Sequence, residues 1–259
     1  MKKKYLEMSP IVYNLTFNIF KIYFKSNLSS KIYLTYRQQS TIKNSYNILF
    51  LGSDCIALRS LKKINEFKKA SNIIKRLDLV TCNNATKKSE IEEYASSARI
   101  TIKKWPLHSL QPSEYDLGLI VAFGHLIKDE MLNKFPLGMI NVHPSLLPRW
   151  RGAAPIIYTL LHGDHETGVT LMKIKPNQFD VGEIINQRKI KVSKDIKLPE
   201  LTEQLSDIGA EMLVDCIKLL PESLMNLKPQ SNDGVTYGTS LLFLMLSQFL
   251  AFMMNSDLI

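Results

Sequence analysis

Residues Gly138 to Ile156 read GMINVHPSLLPRWRGAAPI, and the apolar run that ends in Asn-Val-His breaks at once on a proline. In a strand, side chains two apart share a face, so Asn141 and His143 project together while Val142 packs behind them. Pro144 removes an N–H and ends the ladder, leaving the two polar groups at a strand edge. An amide donor beside an imidazole suits attack on a carbonyl. The amide can hydrogen-bond the developing oxyanion, and the imidazole can add charge or move a proton near neutral pH. The chain has no Gly-x-Ser-x-Gly elbow and no cysteine near this strand end. A covalent acyl-enzyme is therefore not implied, and the attacking group belongs to the substrate. Taken alone, the pair also fits an ordinary strand end, with Asn141 capping a turn and His143 hydrogen-bonded at the edge.

The elements that must position this pair alternate between short apolar runs and helical periodicity. Asn47–Gly52 (NILFLG) is a strand closed by glycine, and the stretch from Asp54 to Lys69 follows with helical spacing. Arg76–Cys82 reads as a second strand, the stretch from Ser89 as a helix with acids in its first turn, and Asp116–Gly124 as a strand apolar on both faces. A short helix near Met131 precedes the Gly138–His143 strand, and Ala154–Gly163 is a helix with Pro155 in its first turn. Two strands, TGVTLMKI and GEIINQRKIKV, flank a loop containing Phe179-Asp180-Val181-Gly182, and a long amphipathic helix carries Leu201, Leu205, Ile208, Met212 and Cys216. Continuous apolar strands separated by helices predict an α/β fold: an open, mostly parallel twisted sheet with helices on both faces. Ligands of such sheets bind at carboxyl ends of strands where strand order switches. Neither G-x-G-x-x-G after the first strand nor a P-loop is present, which argues against a nucleotide cofactor.

The net charge of +9 over 259 residues is concentrated at the start: residues 1–46 hold eight Lys/Arg against Glu7 alone, leaving about +2 for the rest. Bulk charge therefore carries no argument for nucleic acid, and DNA is not implied. Residues 1–46 form a basic, acid-poor leader that reads as a transit peptide into the mitochondrial matrix; the alternative is a basic extension of a cytoplasmic protein. The three cysteines, Cys55, Cys82 and Cys216, are far apart, and His162/His165 have no companion ligands. Neither a disulfide framework nor a metal site is expected.

GMINVHPSLLPRWRGAAPI, followed by GDHETGVTLMKI and FDVGEII, resembles the folate-dependent formyltransferases, within them the mitochondrial-type branch whose acceptor is methionyl-tRNA. The resemblance runs from about Asn47 to about Tyr237 and is densest from Gly138 to Ile185. It implies a formyltransferase, Rossmann-like catalytic domain over 47–220. It implies transfer of a formyl group from 10-formyltetrahydrofolate, as co-substrate, to the α-amine of initiator methionyl-tRNA, releasing tetrahydrofolate, with no metal. It implies Asn141, His143 and Asp180 as the catalytic set and Ser145, Leu146, Leu147 and Pro148 as lining of the folate site. Phe123, Gly124 and His125, after the third strand, are further folate candidates. Arg149 and Arg151 around Trp150 would suit a phosphate and a stacked base of tRNA. The alternative for these three is packing on the body, with the arginines tied to carboxylates.

Beyond the helix, residues 221–238 follow the family's linker toward a second, OB-like domain, and residues 239–259 do not match it. The tail is apolar from Leu241 to Met254 except for Ser247 and Gln248, shorter than the roughly 20 residues that span a bilayer, so no membrane span is expected. A truncated frame, a docked helix and an interfacial segment remain open. Two functions follow: a formyltransferase, expected as a monomer, or a folate-binding product of little activity retained through its tail.

Overall fold

The computed structural model describes residues 43–82 and 87–238; most of the leader and the apolar tail lie outside the described residues. The body is built on a seven-stranded sheet. Its strands are β1 (Tyr46–Leu51), β2 (Ile74–Thr81), β3 (Thr101–Lys104), β4 (Leu117–Val121), β5 (Met139–His143), β7 (Glu166–Lys173) and β8 (Ile184–Lys191). A two-residue strand, β6 (Arg151–Gly152), pairs in parallel with β9 (Tyr237–Gly238) beside it. The helices are α1 (Cys55–Ala70), α2 (Glu90–Ser97), the single turn α3 (Asp129–Leu132), α4 (Pro155–Leu161) and α5 (Leu198–Lys218).

The sheet order is β3-β2-β1-β4-β5-β7-β8. The first five strands run parallel, and β7 joins β5, and β8 joins β7, in antiparallel fashion. This is the mostly parallel open sheet the apolar runs predict. β3 is absent from that prediction because TIKK alternates without an apolar run, and only its pairing with β2 makes it a strand.

Each central strand buries both faces, as its continuous apolar sequence requires. On one face Ile48, Phe50, Leu79, Leu119, Ile140 and Val169 meet the apolar stripes of α1, α2, α4 and α5. On the other, Leu49, Leu51, Val80, Ile120 and Met139 meet a largely irregular stretch that contributes Leu110, Tyr115, Phe123, Ile127 and Phe135. Among the described residues helices thus cover the two faces unequally, with only α3 on the second.

The helix starts are written locally. Asp54 caps α1 by accepting the Ala57 N–H at 2.9 Å, and Ser89 and Glu92 form a capping box at α2, with the Ser89 N–H donated to Glu92 at 2.9 Å. Helix α5 comes close behind β5 at Gly209, where a Cβ would stand 2.7 Å from Val142 Cγ1. The residue between Asn141 and His143 is therefore clamped from behind, and the pair is aimed at the strand end.

Strand order reverses between β1 and β4, so the carboxyl ends of β1, β4 and β5 open onto a crevice. Leu61 of α1 is fully buried in the core on the helical face. Leu61→Ala is expected to cost about 2–5 kcal/mol, read as a lowered midpoint in urea unfolding with an unchanged slope.

Candidate active site

A cavity of about 1230 Å³ fills the crevice. Asn141 and His143 reach it from the end of β5, and Asp180 from the loop between β7 and β8. His143 and Asp180 are 3% and 6% exposed, so their polar atoms depend on protein partners. The Asp180 carboxylate is pinned on both oxygens: Oδ1 accepts from Asn141 Nδ2 at 3.2 Å and Oδ2 from the Gly152 N–H at 2.8 Å. Oδ1 also lies 3.5 Å from His143 Nδ1, an ion-pair distance. The other ring nitrogen, Nε2, is 2.8 Å from the Trp150 main-chain oxygen. Both ring nitrogens therefore face oxygen atoms of the protein. Asn141 spends one N–H on Asp180 and keeps a second for a ligand oxygen.

The rest of the cavity divides by chemistry. Ile120, Phe123, Ile127 and Ile174 form an apolar wall beneath the backbone of residues 122–125. Phe123, Gly124 and His125 are among its lining residues. Trp105 backs them, its ring 5.2 Å from that of Phe123 and 5.6 Å from that of His125. Toward α1 and α5 the lining turns mixed, with Asp54, Ser60, Thr202 and Ser206 among Ile56 and Leu205. Burial raises the Asp54 carboxyl above its ordinary range, against backbone N–H groups that lower it.

Ser145, Leu146, Leu147 and Pro148 are not among the residues that line this cavity, whereas Pro144 just before them is. Their polar groups are taken up by β7 and β8: the Leu147 N–H donates to Thr170 Oγ1 at 3.1 Å, and Gln187 Nε2 donates to the Leu147 oxygen at 2.9 Å. Ser145 is buried with its hydroxyl on the Arg149 oxygen, and Leu146 lies against Gly168.

Arg149 and Trp150 are held on the body, the alternative weighed for them from the sequence. Arg149 is forked onto Asp164, by Nε at 2.8 Å and Nη2 at 2.6 Å, and lies 4.2 Å over the Trp150 ring. The Trp150 indole is 5% exposed, donates to Asp164 at 2.7 Å, and packs on His162 and Tyr158. Arg151 alone of the three lines the cavity, and its guanidinium is bonded to Gln230. Among the described residues no group of three or more His, Cys, Asp or Glu side chains could hold a metal ion, and no helix is long and apolar enough to cross a membrane.

Asp164, Gln230 and Thr236 support the site without any local sequence signal. Thr236 Oγ1 accepts the Trp150 N–H at 2.8 Å, and Thr236 and Gln230 act on partners far along the chain. The nearest hint is that Asp164 is a carboxylate close in sequence to two arginines.

The open sheet brings an amide, an imidazole and a carboxylate together at a switch-point crevice, groups of the kind that suit carbonyl chemistry. The chain belongs to the formyl transferase family, whose model matches residues 52–217. It is 42% identical over 198 residues to the mouse protein named methionyl-tRNA formyltransferase, mitochondrial, covering 75% of this chain and 51% of that one. The human protein of the same name is 40% identical over 198 residues, covering 75% and 50%. The chain thus spans about half the length of the curated relatives it matches. A solved sugar 3N-formyl transferase, determined with dTDP and 5-N-formyl-THF, shares the fold with a TM-score of 0.62 at 23% identity, over 75% of this chain and 70% of that one.

Burial alone would raise the Asp164 carboxyl, but the Arg149 fork and the Trp150 N–H outweigh it and hold it below the usual carboxylate range. Its contribution to stability is therefore present above the ordinary carboxylate pKa and is lost as pH falls through the lowered folded-state value. Asp164→Ala is expected to cost about 1–3 kcal/mol at neutral pH by stranding its donors. In denaturant titrations the gap between wild type and variant should close in acid.

Proposed function

We propose that the chain transfers a formyl group from 10-formyltetrahydrofolate to the α-amine of initiator methionyl-tRNA, in service of translation initiation in the mitochondrial matrix. The observation that carries this is the convergence of Asn141, His143 and Asp180 on one cavity. Names of the mouse and human relatives support the acceptor and the compartment, as does the basic leader. The formyltransferase domain spans 47–220, and the protein acts as a monomer.

The chemistry follows from the donors. The methionyl nitrogen forms a bond to the formyl carbon while the carbonyl electrons move onto oxygen. The free N–H of Asn141 meets that oxyanion, and an imidazolium at His143 places positive charge beside it. Asp180 orients both partners and stabilises the charged ring. As the carbonyl re-forms, the bond from carbon to the folate nitrogen breaks, and the His143–Asp180 pair carries the proton lost by the amine to that nitrogen. No bond to the protein is made. The apolar wall of Ile120, Phe123, Ile127 and Ile174 suits a flat heterocycle, with the backbone of residues 122–125 at its polar edge. Arg151, at the same cavity, is a candidate for a tRNA phosphate together with Arg149 and Trp150.

Formylation of charged initiator tRNA by the purified chain tests this. Asn141→Ala is expected to slow turnover about a hundred- to a thousandfold, as losing one oxyanion donor does elsewhere. An Asn141→Ala protein with near wild-type rates would sink the assignment.

A further inference from the structure

Gln230 lies in the segment after α5, within residues that the family pattern leaves as a linker, yet its amide touches both halves of the site. Nε2 donates to the main-chain oxygen of Asp180 at 2.9 Å and to that of Gly182 at 2.8 Å. Oε1 accepts from Arg151 Nε at 3.1 Å and from Nη2 at 2.7 Å. The partners dictate which way the amide faces: a guanidinium only donates and the two carbonyls only accept, so only one orientation satisfies all four contacts.

The loop it holds needs holding. Asp180 has φ +52, in the left-handed region that a non-glycine residue keeps only where its surroundings over-determine it. Two residues on, a Cβ at Gly182 would stand 1.6 Å from the Lys173 oxygen, so the loop is pressed against the end of β7. On the other side, Arg151 adjoins the groups that complete the site, namely the Gly152 N–H on Asp180 and the Trp150 oxygen on His143. The segment bearing Gln230 is itself tied at both ends. Lys228 exchanges backbone hydrogen bonds with Ile184 at 2.7 and 2.9 Å, and the Gly238 oxygen accepts the Ala153 N–H at 2.9 Å.

We propose that Gln230 is a positioning residue that sets Asp180 against His143 by clasping the Asp180 loop to the Arg151 strand. The segment after α5 is then part of the catalytic unit. Its kinetic test rests on the formyl-transfer reading above; its structural test does not.

Two variants of the full chain separate the roles. Gln230→Ala removes the clasp, while Gln230→Glu keeps the length and the acceptor for Arg151 but offers no donor to the two carbonyls. Both are expected to lower kcat about ten- to a hundredfold, the scale on which misplacement of reacting groups acts, with KM for 10-formyltetrahydrofolate changed by less than about threefold. In long-range proton–nitrogen spectra of protein labelled with ¹⁵N-histidine, the ring resonances of His143 should move in both variants while those of exposed His108 stay. A Gln230→Glu protein that turns over like wild type, a loss of kcat accounted for by the unfolded fraction, or an unmoved His143 ring would each overturn the proposal. If the wild-type chain forms no formylmethionyl-tRNA, the transfer reading fails, and the ring resonances alone still decide the role of Gln230.

Discussion

The imidazole of His143 sits between two acceptors, the Asp180 carboxylate and the Trp150 main-chain oxygen, and much of the C-terminal half is arranged to keep it there. Neither acceptor lies on β5 itself, so two loops must be brought to the end of that strand and held. Both pass through left-handed backbone to arrive, at Trp150 (φ 58) and at Asp180 (φ 52). Such conformations cost of order 1–3 kcal/mol each and persist only when neighbours compensate. Around Trp150 the compensation is Asp164, Thr236 and the tilted ring contact with His162. Around Asp180 it is Asn141, Gly152 and Gln230.

The sheet supplies what loops alone cannot, a rigid floor. Strand β5 is flanked by β4 and β7 and backed by α5 at Val142, so Asn141 and His143 have little freedom to drift from one another. Unequal coverage of the two faces has a functional side as well. The irregular stretch over the second face brings Phe123 and Ile127 to the crevice as an apolar wall, while the first face lends it the polar groups of α1 and α5. A single cavity can thus take a flat heterocycle on one side and a polar acceptor on the other.

The sequence by itself determined whatever depends on neighbours a few positions away. The apolar runs of β1, β2, β4 and β5, the stop at Pro144, the i, i+2 pairing of Asn141 with His143 and the cap at Ser89 are all legible because strand and helix periodicity act within a few residues. Resemblance to known enzymes extended this to Asp180, which no local rule connects to β5. Tertiary structure decided the rest. Leu147 bonds to Thr170 of β7, Arg149 and Trp150 share Asp164 as partner, and Gln230 reaches 50 residues back to the Asp180 oxygen. Each of these outcomes depends on which distant donor or acceptor is within about 3 Å once the chain has closed, and residue type and spacing along one stretch carry no record of that.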